Sequence, residues 1–179
     1  VKVSGVCLGT AFRGQEDEAT CIRVIDRAVD LGCNFIDSGM YGGGRAETFI
    51  GKALKGKRED VVLCTKVLSS VGSGPNHHGL SRRHLLLAVE GSLKRLQTDH
   101  VDLYLLHVFD PDVPIEETLR GLDDLVTQGK VRYVGCSNFE SWRVMQALWT
   151  SDCKNLESFS CVQNPYNLIL RTEMEELMP

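Results

Sequence analysis

A short apolar run followed by a helix-patterned stretch recurs along this chain at a nearly constant interval, and no other feature narrows its fold so far. With Leu8, Ile36, Leu63, Leu105, Val134 and Val162 as the centres of the runs, the intervals are about 28, 27, 42, 29 and 28 residues, each long enough for one strand, one helix and their turns. The runs are almost continuously apolar, as in VDLYLL from Val101 to Leu106, so both faces of the sheet they form are expected to be covered. Strands joined by short turns through a helix must run parallel. Two architectures satisfy these conditions, an open doubly wound sheet and a (β/α)₈ barrel.

The intervening stretches carry their own punctuation. Ile22, Ile25, Ala28 and Val29 give the first helix one apolar face, with Glu16, Asp17 and Glu18 expected in its first turn and Gly32 at its end. Ala46 to Leu54 reads as the second helix. Ser81 suits the N-cap of a third, in which Leu86, Val89, Leu93 and Leu96 share a face. Pro114 suits the first turn of a fourth and Gly129 its stop, and a fifth is expected from Ser141 to Thr150. The strands are read as Val6 to Leu8, Asn34 to Asp37, Val61 to Lys66, Val101 to Leu106, Val131 to Cys136 and Ser158 to Val162, with a further helix opening near Arg171.

What separates the two architectures is how the strands end. From the second strand onward each finishes in a polar residue: Asp37, Lys66, His107, Ser137 with Asn138, and Gln163. In a barrel those ends converge on one mouth. In an open sheet they would spread along an edge, and only those near the switch point could share a ligand. The barrel is therefore the expected fold, with about six β/α units over residues 1–179 read as one domain, short of the eight units and typically about 250 residues of the complete form.

The chemistry available to such a mouth follows from the residue types. A carboxylate ending a buried strand is costly unless paired, and Lys66 is the cation that could pair with Asp37. An ordinary tyrosine, with a pKa of about 10, donates a proton poorly near neutral pH unless a cation stabilises its phenolate. Tyr41 lies in the loop just after Asp37, so Asp37, Lys66 and Tyr41 form a chain in which each partner accounts for the next, with His107 able to orient a carbonyl oxygen. Ser137, Asn138 and Gln163 offer neutral hydroxyl and amide groups, suited to a carboxamide more than to a phosphate. Taken singly, each has a structural explanation: an ion pair, a loop aromatic, a core histidine, a strand-end cap. Taken together, they read as one site.

Other function classes find no support. The net charge is −4 with no basic stripe, which offers nucleic acid or an anionic membrane little to hold. No apolar run approaches the roughly 18 residues of a membrane span, and VKVSGVCLGT lacks a secretory h-region, so a cytoplasmic location is expected. The seven cysteines include no C-x-x-C pair, and no disulfide framework is expected. His77 and His78, adjacent in a glycine-bounded loop, are read as loop residues, and no metal site is expected. Neither a P-loop nor a G-x-G-x-x-G turn is present.

The runs that carry these residues resemble the aldo-keto reductase superfamily. They are FIDSGMYGGGRAE (Phe35 to Glu47), the lysine of CTK (Lys66), the histidine of LYLLH (His107), GCSNF (Gly135 to Phe139) and QNPYN (Gln163 to Asn167), together with SRRHLLLAVEGSLKRLQTDHVDLYLLH and PIEETLRGLDDLVTQGKVRYVGCSNF. The resemblance implies a (β/α)₈ barrel that binds NADPH in an extended pose without a Rossmann domain and passes hydride to an aldehyde or ketone. Tyr41 would be the general acid, Lys66 and Asp37 would tune it, and His107 would help place the carbonyl. Asp37, Ser137, Asn138 and Gln163 would bind the cofactor, the last three at its nicotinamide carboxamide. Two further strands, a stacking aromatic and a phosphate-binding loop would follow residue 179. Between Asp37 and Tyr41 stand only Ser38, Gly39 and Met40, one residue fewer than is usual in the family. One Cα step is about 3.8 Å, enough to misplace the hydroxyl unless the loop repacks. Other proteins of this resemblance are auxiliary subunits of membrane channels that use the cofactor as a regulatory ligand. The absence of a long N-terminal inactivation segment favours an enzyme, and an inactive truncated copy is the third alternative. The choice of carbonyl substrate, NADPH over NADH and the oligomeric state are not legible.

Overall fold

The computed structural model describes residues 1–13, 17–169, 171 and 177. Strand β1 (Leu8–Gly9) is followed by helix α1 (Glu18–Asp30), β2 (Phe35–Asp37), α2 (Arg45–Ala53), β3 (Val62–Val67), α3 (Arg82–Leu96), β4 (Val101–Leu106), α4 (Ile115–Thr127), β5 (Val131–Ser137), α5 (Ser141–Lys154) and β6 (Cys161–Gln163). All six strands pair in parallel and in chain order. Sequential order excludes the doubly wound alternative, in which the order reverses at a switch point.

The sheet is curled as well as sequential. Four strand spacings of a flat sheet would hold β2 and β6 about 19 Å apart. Here Gln163 Nε2, at the end of β6, donates to Asp37 Oδ2, at the end of β2, over 3.3 Å. The register shows the same closure. Asp37 stands opposite Cys64, two residues short of Lys66, and Lys66 opposite Leu105, two residues short of His107. Leu106 faces Cys136, which sets His107 level with Ser137, and Ser137 faces Gln163. The polar residues thus advance along the strands by about one residue per strand on average, the stagger of an eight-stranded barrel with shear eight. The structure is an incomplete (β/α)₈ barrel, an arc of six units.

Side-chain alternation gives the arc two walls. On the convex side Ile36, Leu63, Tyr104, Leu106, Val134 and Cys136 join Ile25, Ile50, Val89, Leu122 and Val144 of the helices in one buried core. Each fully buried aliphatic side chain there contributes roughly 1.5–3 kcal/mol. On the concave side Cys64, Leu103 and Leu105, with Phe35 and Cys161 beside them, form a smaller cluster. A cavity of about 420 Å³ opens among these residues and Tyr133.

The helix signals act as expected. Asp17 caps α1 by accepting from Thr20 N at 2.7 Å, Ser81 caps α3 by accepting from His84 N at 3.3 Å, and Pro114 precedes α4 directly. Several boundaries differ. Lys66 is not the last residue of β3, because Val67 still pairs with Leu106. β1 pairs only over Leu8 and Gly9, and β6 begins at Cys161, not Ser158, because Phe159 instead packs edge-on against Phe139 at 6.1 Å. α5 runs four residues beyond Thr150, where no breaker intervenes until Asn155 adopts a φ of 53°. The helix expected near Arg171 lies outside the described residues.

Candidate active site at the strand ends

Asp37 and Ser38 are tied on both sides. Thr10 N and Oγ1 donate to the Asp37 carbonyl at 3.0 and 2.8 Å, and Ser38 N donates to Cys64 O at 2.9 Å. With the backbone so fixed, the Asp37 carboxylate faces the concave wall, where the Lys66 ammonium bonds to its Oδ1 and to the Ser38 carbonyl at 2.8 Å. Both residues are buried, at 9% and 4% exposure. Burial works most strongly against the charge of Lys66. The Asp37 carboxylate, with Cys64 and Tyr41 adding to it, nevertheless holds its pKa above the ordinary lysine value, so it remains an ammonium.

The short loop does repack. Tyr41 opens a 3₁₀ turn through Gly44, in which Gly42, Gly43 and Gly44 take φ values of 61°, 68° and 91°. Three successive left-handed residues are accessible only to glycine without strain, and they fold the chain back into α2 within the span available. Gly39 is constrained more mildly, since a Cβ there would lie 3.3 Å from Tyr41 Cζ and press the ring by a few tenths of an ångström. The Tyr41 ring thereby rests over Gly39, with the Lys66 ammonium 5.6 Å from its centroid. His107 stands edge-on to it, centroids 6.3 Å apart at 82°. Burial, and next the Lys66 charge, push the His107 pKa below the ordinary histidine value, with Asp37 opposing; at neutral pH the imidazole is uncharged. The structure therefore brings Asp37, Tyr41, Lys66 and His107 together.

The remaining strand-end residues form a connected group beside them. Ser137 Oγ donates to Gln163 O at 2.7 Å, and Asn138 Nδ2 reaches both His107 O and Ser137 Oγ at 2.9 Å, from a residue at φ 56°. Gln163 joins the group to Asp37. The three bonds made by the side-chain amides of Asn138 and Gln163 engage their nitrogens and leave the side-chain oxygens as acceptors. Asn164 Oδ1 is buried with no partner among the described residues, while its Nδ2 donates to Phe139 O at 2.8 Å. Side-chain acceptors beside the remaining N–H of the Gln163 amide are what a primary carboxamide needs, so the residues present fit that group. Among the described residues no three His, Cys, Asp or Glu side chains are grouped to hold a metal ion.

Sequence reasoning missed two kinds of residue. Asn164 lies in the QNPYN run but has no periodicity to mark it. Glu47, fully buried, and Arg95, 24% exposed, form a second ion pair, 2.7 Å apart, on the convex side of β3. A signal for Glu47 existed: it shares a helix face with Ile50 and Leu54, and an acid on an apolar stripe requires a partner.

Comparison with known proteins agrees with this geometry. The Aldo/keto reductase family profile matches residues 5–179. The "Uncharacterized oxidoreductase YrpG" of Bacillus subtilis (strain 168) is 41% identical over 196 aligned positions, covering 100% of this chain and 59% of its own length. A "Probable voltage-gated potassium channel subunit beta" of Arabidopsis thaliana is 34% identical, covering 100% of this chain and 56% of that protein. A crystal structure of the thermostable aldo-keto reductase Tm1743, in complex with the inhibitor epalrestat, superposes with a TM-score of 0.83 at 36% identity, over 97% of this chain and 62% of that one. The chain thus spans little more than half the length of the relatives it matches. With the strand ends, the sequential curled sheet and the profile match in agreement, this chain belongs to the aldo/keto reductase family.

Proposed function

We propose that the protein to which this chain contributes is an NADPH-dependent reductase of aldehydes or ketones, with the strand-end cluster as its catalytic centre. The observation that carries the reading is the placement of Lys66, a buried ammonium bonded to Asp37 and 5.6 Å from the Tyr41 ring centroid, with neutral His107 edge-on to the same ring. NADPH supplies the hydride when bound. Tyr41 gives its phenolic proton to the carbonyl oxygen as negative charge develops there, and the fixed ammonium of Lys66 stabilises the phenolate left behind. Asp37 keeps Lys66 charged and oriented. His107 donates an N–H to the same oxygen and so fixes the carbonyl before transfer. Asn138 and Gln163, with Ser137 ordering Asn138, hold the carboxamide of the nicotinamide; amides cannot titrate, which suits binding over proton transfer.

Tyr41→Phe in the full-length protein tests this, because it deletes the acid and little else. Carbonyl reduction should fall by about 10²–10⁴-fold while NADPH binding changes little. Unchanged turnover would remove Tyr41 from the mechanism. Similarity to a channel subunit favours a second reading, in which the same site binds the cofactor as a regulatory ligand. Absence of turnover across a panel of aldehydes, with NADPH binding intact, would select it. The free state of all seven cysteines and the lack, among the described residues, of a helix long and apolar enough to cross a membrane support a cytoplasmic location.

A further inference from the structure

The loop that carries Tyr41 is supported from beneath by a side chain on the helix side of the sheet. Arg95, in the last turn of α3, extends under the loop: its Nη2 lies 2.9 Å from Met40 Sδ and 3.3 Å from Ser92 Oγ. The fit against Gly44 is close, since a Cβ on that residue would stand 2.6 Å from Arg95 Cδ and Nε. Met40 and Gly44 flank Tyr41, so the guanidinium touches the loop on both sides of the phenol. Arg95 is itself held by Glu47, whose carboxylate is fully buried and accepts from Arg95 Nε at 2.7 Å and from Thr65 Oγ1 at 2.6 Å. Thr65 is the residue before Lys66 on β3. One hydrogen-bonded chain therefore runs from the strand that bears Lys66, through Thr65, Glu47 and Arg95, to the loop that bears Tyr41.

We propose that Arg95, oriented by Glu47, is a positioning residue for the general acid, fixing the Tyr41 loop relative to Lys66 from the far side of the sheet. The inference rests on the reductase reading for its kinetic consequence but not for its structural one. The need for such a strut follows from the loop itself. Three left-handed glycines in succession have no side chains to pack, and glycine carries the largest conformational freedom of any residue. Ser38 is anchored at one end by Cys64 and Lys66, but beyond it the loop has no strand ladder to hold it. A planar guanidinium with several fixed donors spans that gap better than a flexible ammonium. The Glu47 carboxylate has no exposure, so Arg95, 24% exposed itself, meets no water competing for that acceptor.

The test uses Glu47→Gln, Arg95→Lys and the double variant in the full-length protein, with active sites counted by NADPH titration. Both single variants keep a polar partner at each position and so favour folding. The expected result is a fall in kcat per titrated site of about tenfold or more, since misplacing a reacting group by 1 Å can cost a hundredfold. KM and NADPH affinity should stay within about twofold, and the double variant should lose little more than either single one, because the residues act as one unit. Hydrogen exchange gives an arm independent of turnover: the amides of residues 38–44 should exchange faster in both variants while those of β4 and α4 stay protected. Loss of kcat together with faster loop exchange supports the proposal. Variants whose kcat per site and loop exchange match wild type, and which differ only in melting temperature, overturn it. If wild type itself reduces no carbonyl, the reductase reading fails, and loop exchange alone decides whether Arg95 positions Tyr41.

Discussion

Two ion pairs with buried carboxylates flank a single strand of this protein, and they differ in what surrounds them. Thr65 and Lys66 are neighbours on β3 and point to opposite walls. Lys66 meets Asp37 on the concave side, whereas Thr65 meets Glu47, and through it Arg95, on the convex side. On the convex side the Glu47 side chain, on α2, has no exposure, and Arg95, on α3, keeps 24% at the protein's outer surface. On the concave side the Asp37 side chain keeps 13% exposure at the open ends of the strands, with Gln163, His107 and Tyr41 grouped around the pair. A carboxylate sealed under helices fixes one arrangement of the chain. A pair that opens onto a polar mouth can also act on what enters it.

The comparison is broken most directly by removing one cation at a time. Lys66→Met should lower kcat by about 10²–10⁴-fold in the full-length protein, because the phenolate of Tyr41 loses its stabilising charge. Arg95→Ala should lower kcat less, by the roughly tenfold that a displaced Tyr41 loop costs, and weigh more on stability. It leaves Glu47 buried with only Thr65 as partner, and breaking a buried pair in this way costs about 3–5 kcal/mol. Urea unfolding of both variants checks the crossing. If Lys66→Met proves the more destabilising of the two while retaining turnover, the functional division between the walls is wrong.

A smaller effect is expected where the concave pair meets the cofactor group. Gln163→Ala removes one amide from the strand end and one hydrogen bond to Asp37. A hydrogen bond is worth about 1 kcal/mol net, so NADPH affinity should weaken roughly fivefold. The pH profile of turnover should not move. Unchanged affinity with a displaced profile would assign Gln163 to proton transfer instead of binding.

The concave pair was legible in the sequence and the convex pair was not, for a physical reason. Asp37, Lys66 and His107 each terminate an apolar run or stand beside its end, so their polarity contrasts with their neighbours. The repeat of strand and helix then implies that such ends converge. Glu47 and Arg95 sit in helices where charged residues are the rule, and their partnership spans 48 residues of sequence. Only packing reveals that the two faces meet. The boundaries were lost for a related reason: whether Phe159 extends β6 or turns to meet Phe139 is decided by tertiary contact, which outweighs local propensity. The shortened loop after Asp37 was visible, but its remedy, the glycine turn with the Tyr41 ring over Gly39, depends on space that no pattern records.

The smallest effect concerns a buried group that has neither kind of partner. His84, in the first turn of α3, is fully buried, and among the described residues both its ring nitrogens lack a hydrogen bond. Burial lowers its pKa most, His78 and His77 lower it further, and the backbone of Ser69 works the other way. The α3 N-terminus also disfavours a cation there. Unlike Lys66 or Arg95, His84 keeps its place by staying neutral. The sign of the linkage follows. An unfolded histidine takes up a proton as pH falls through about 6.5, while the native one still refuses it, so the unfolded chain binds more protons and stability declines with acidification below that value. Above it His84 makes no contribution to the pH dependence. His107 has a pKa lowered in the same sense, so the wild-type curve contains both groups, and only a difference between proteins isolates His84. His84→Leu removes the titrating ring and the two orphaned nitrogens together, and should reduce the drop in urea midpoint between pH 7.5 and 5.5 while leaving turnover at pH 7.5 intact. An equal drop in wild type and variant would mean that native His84 accepts its proton as readily as the unfolded chain does.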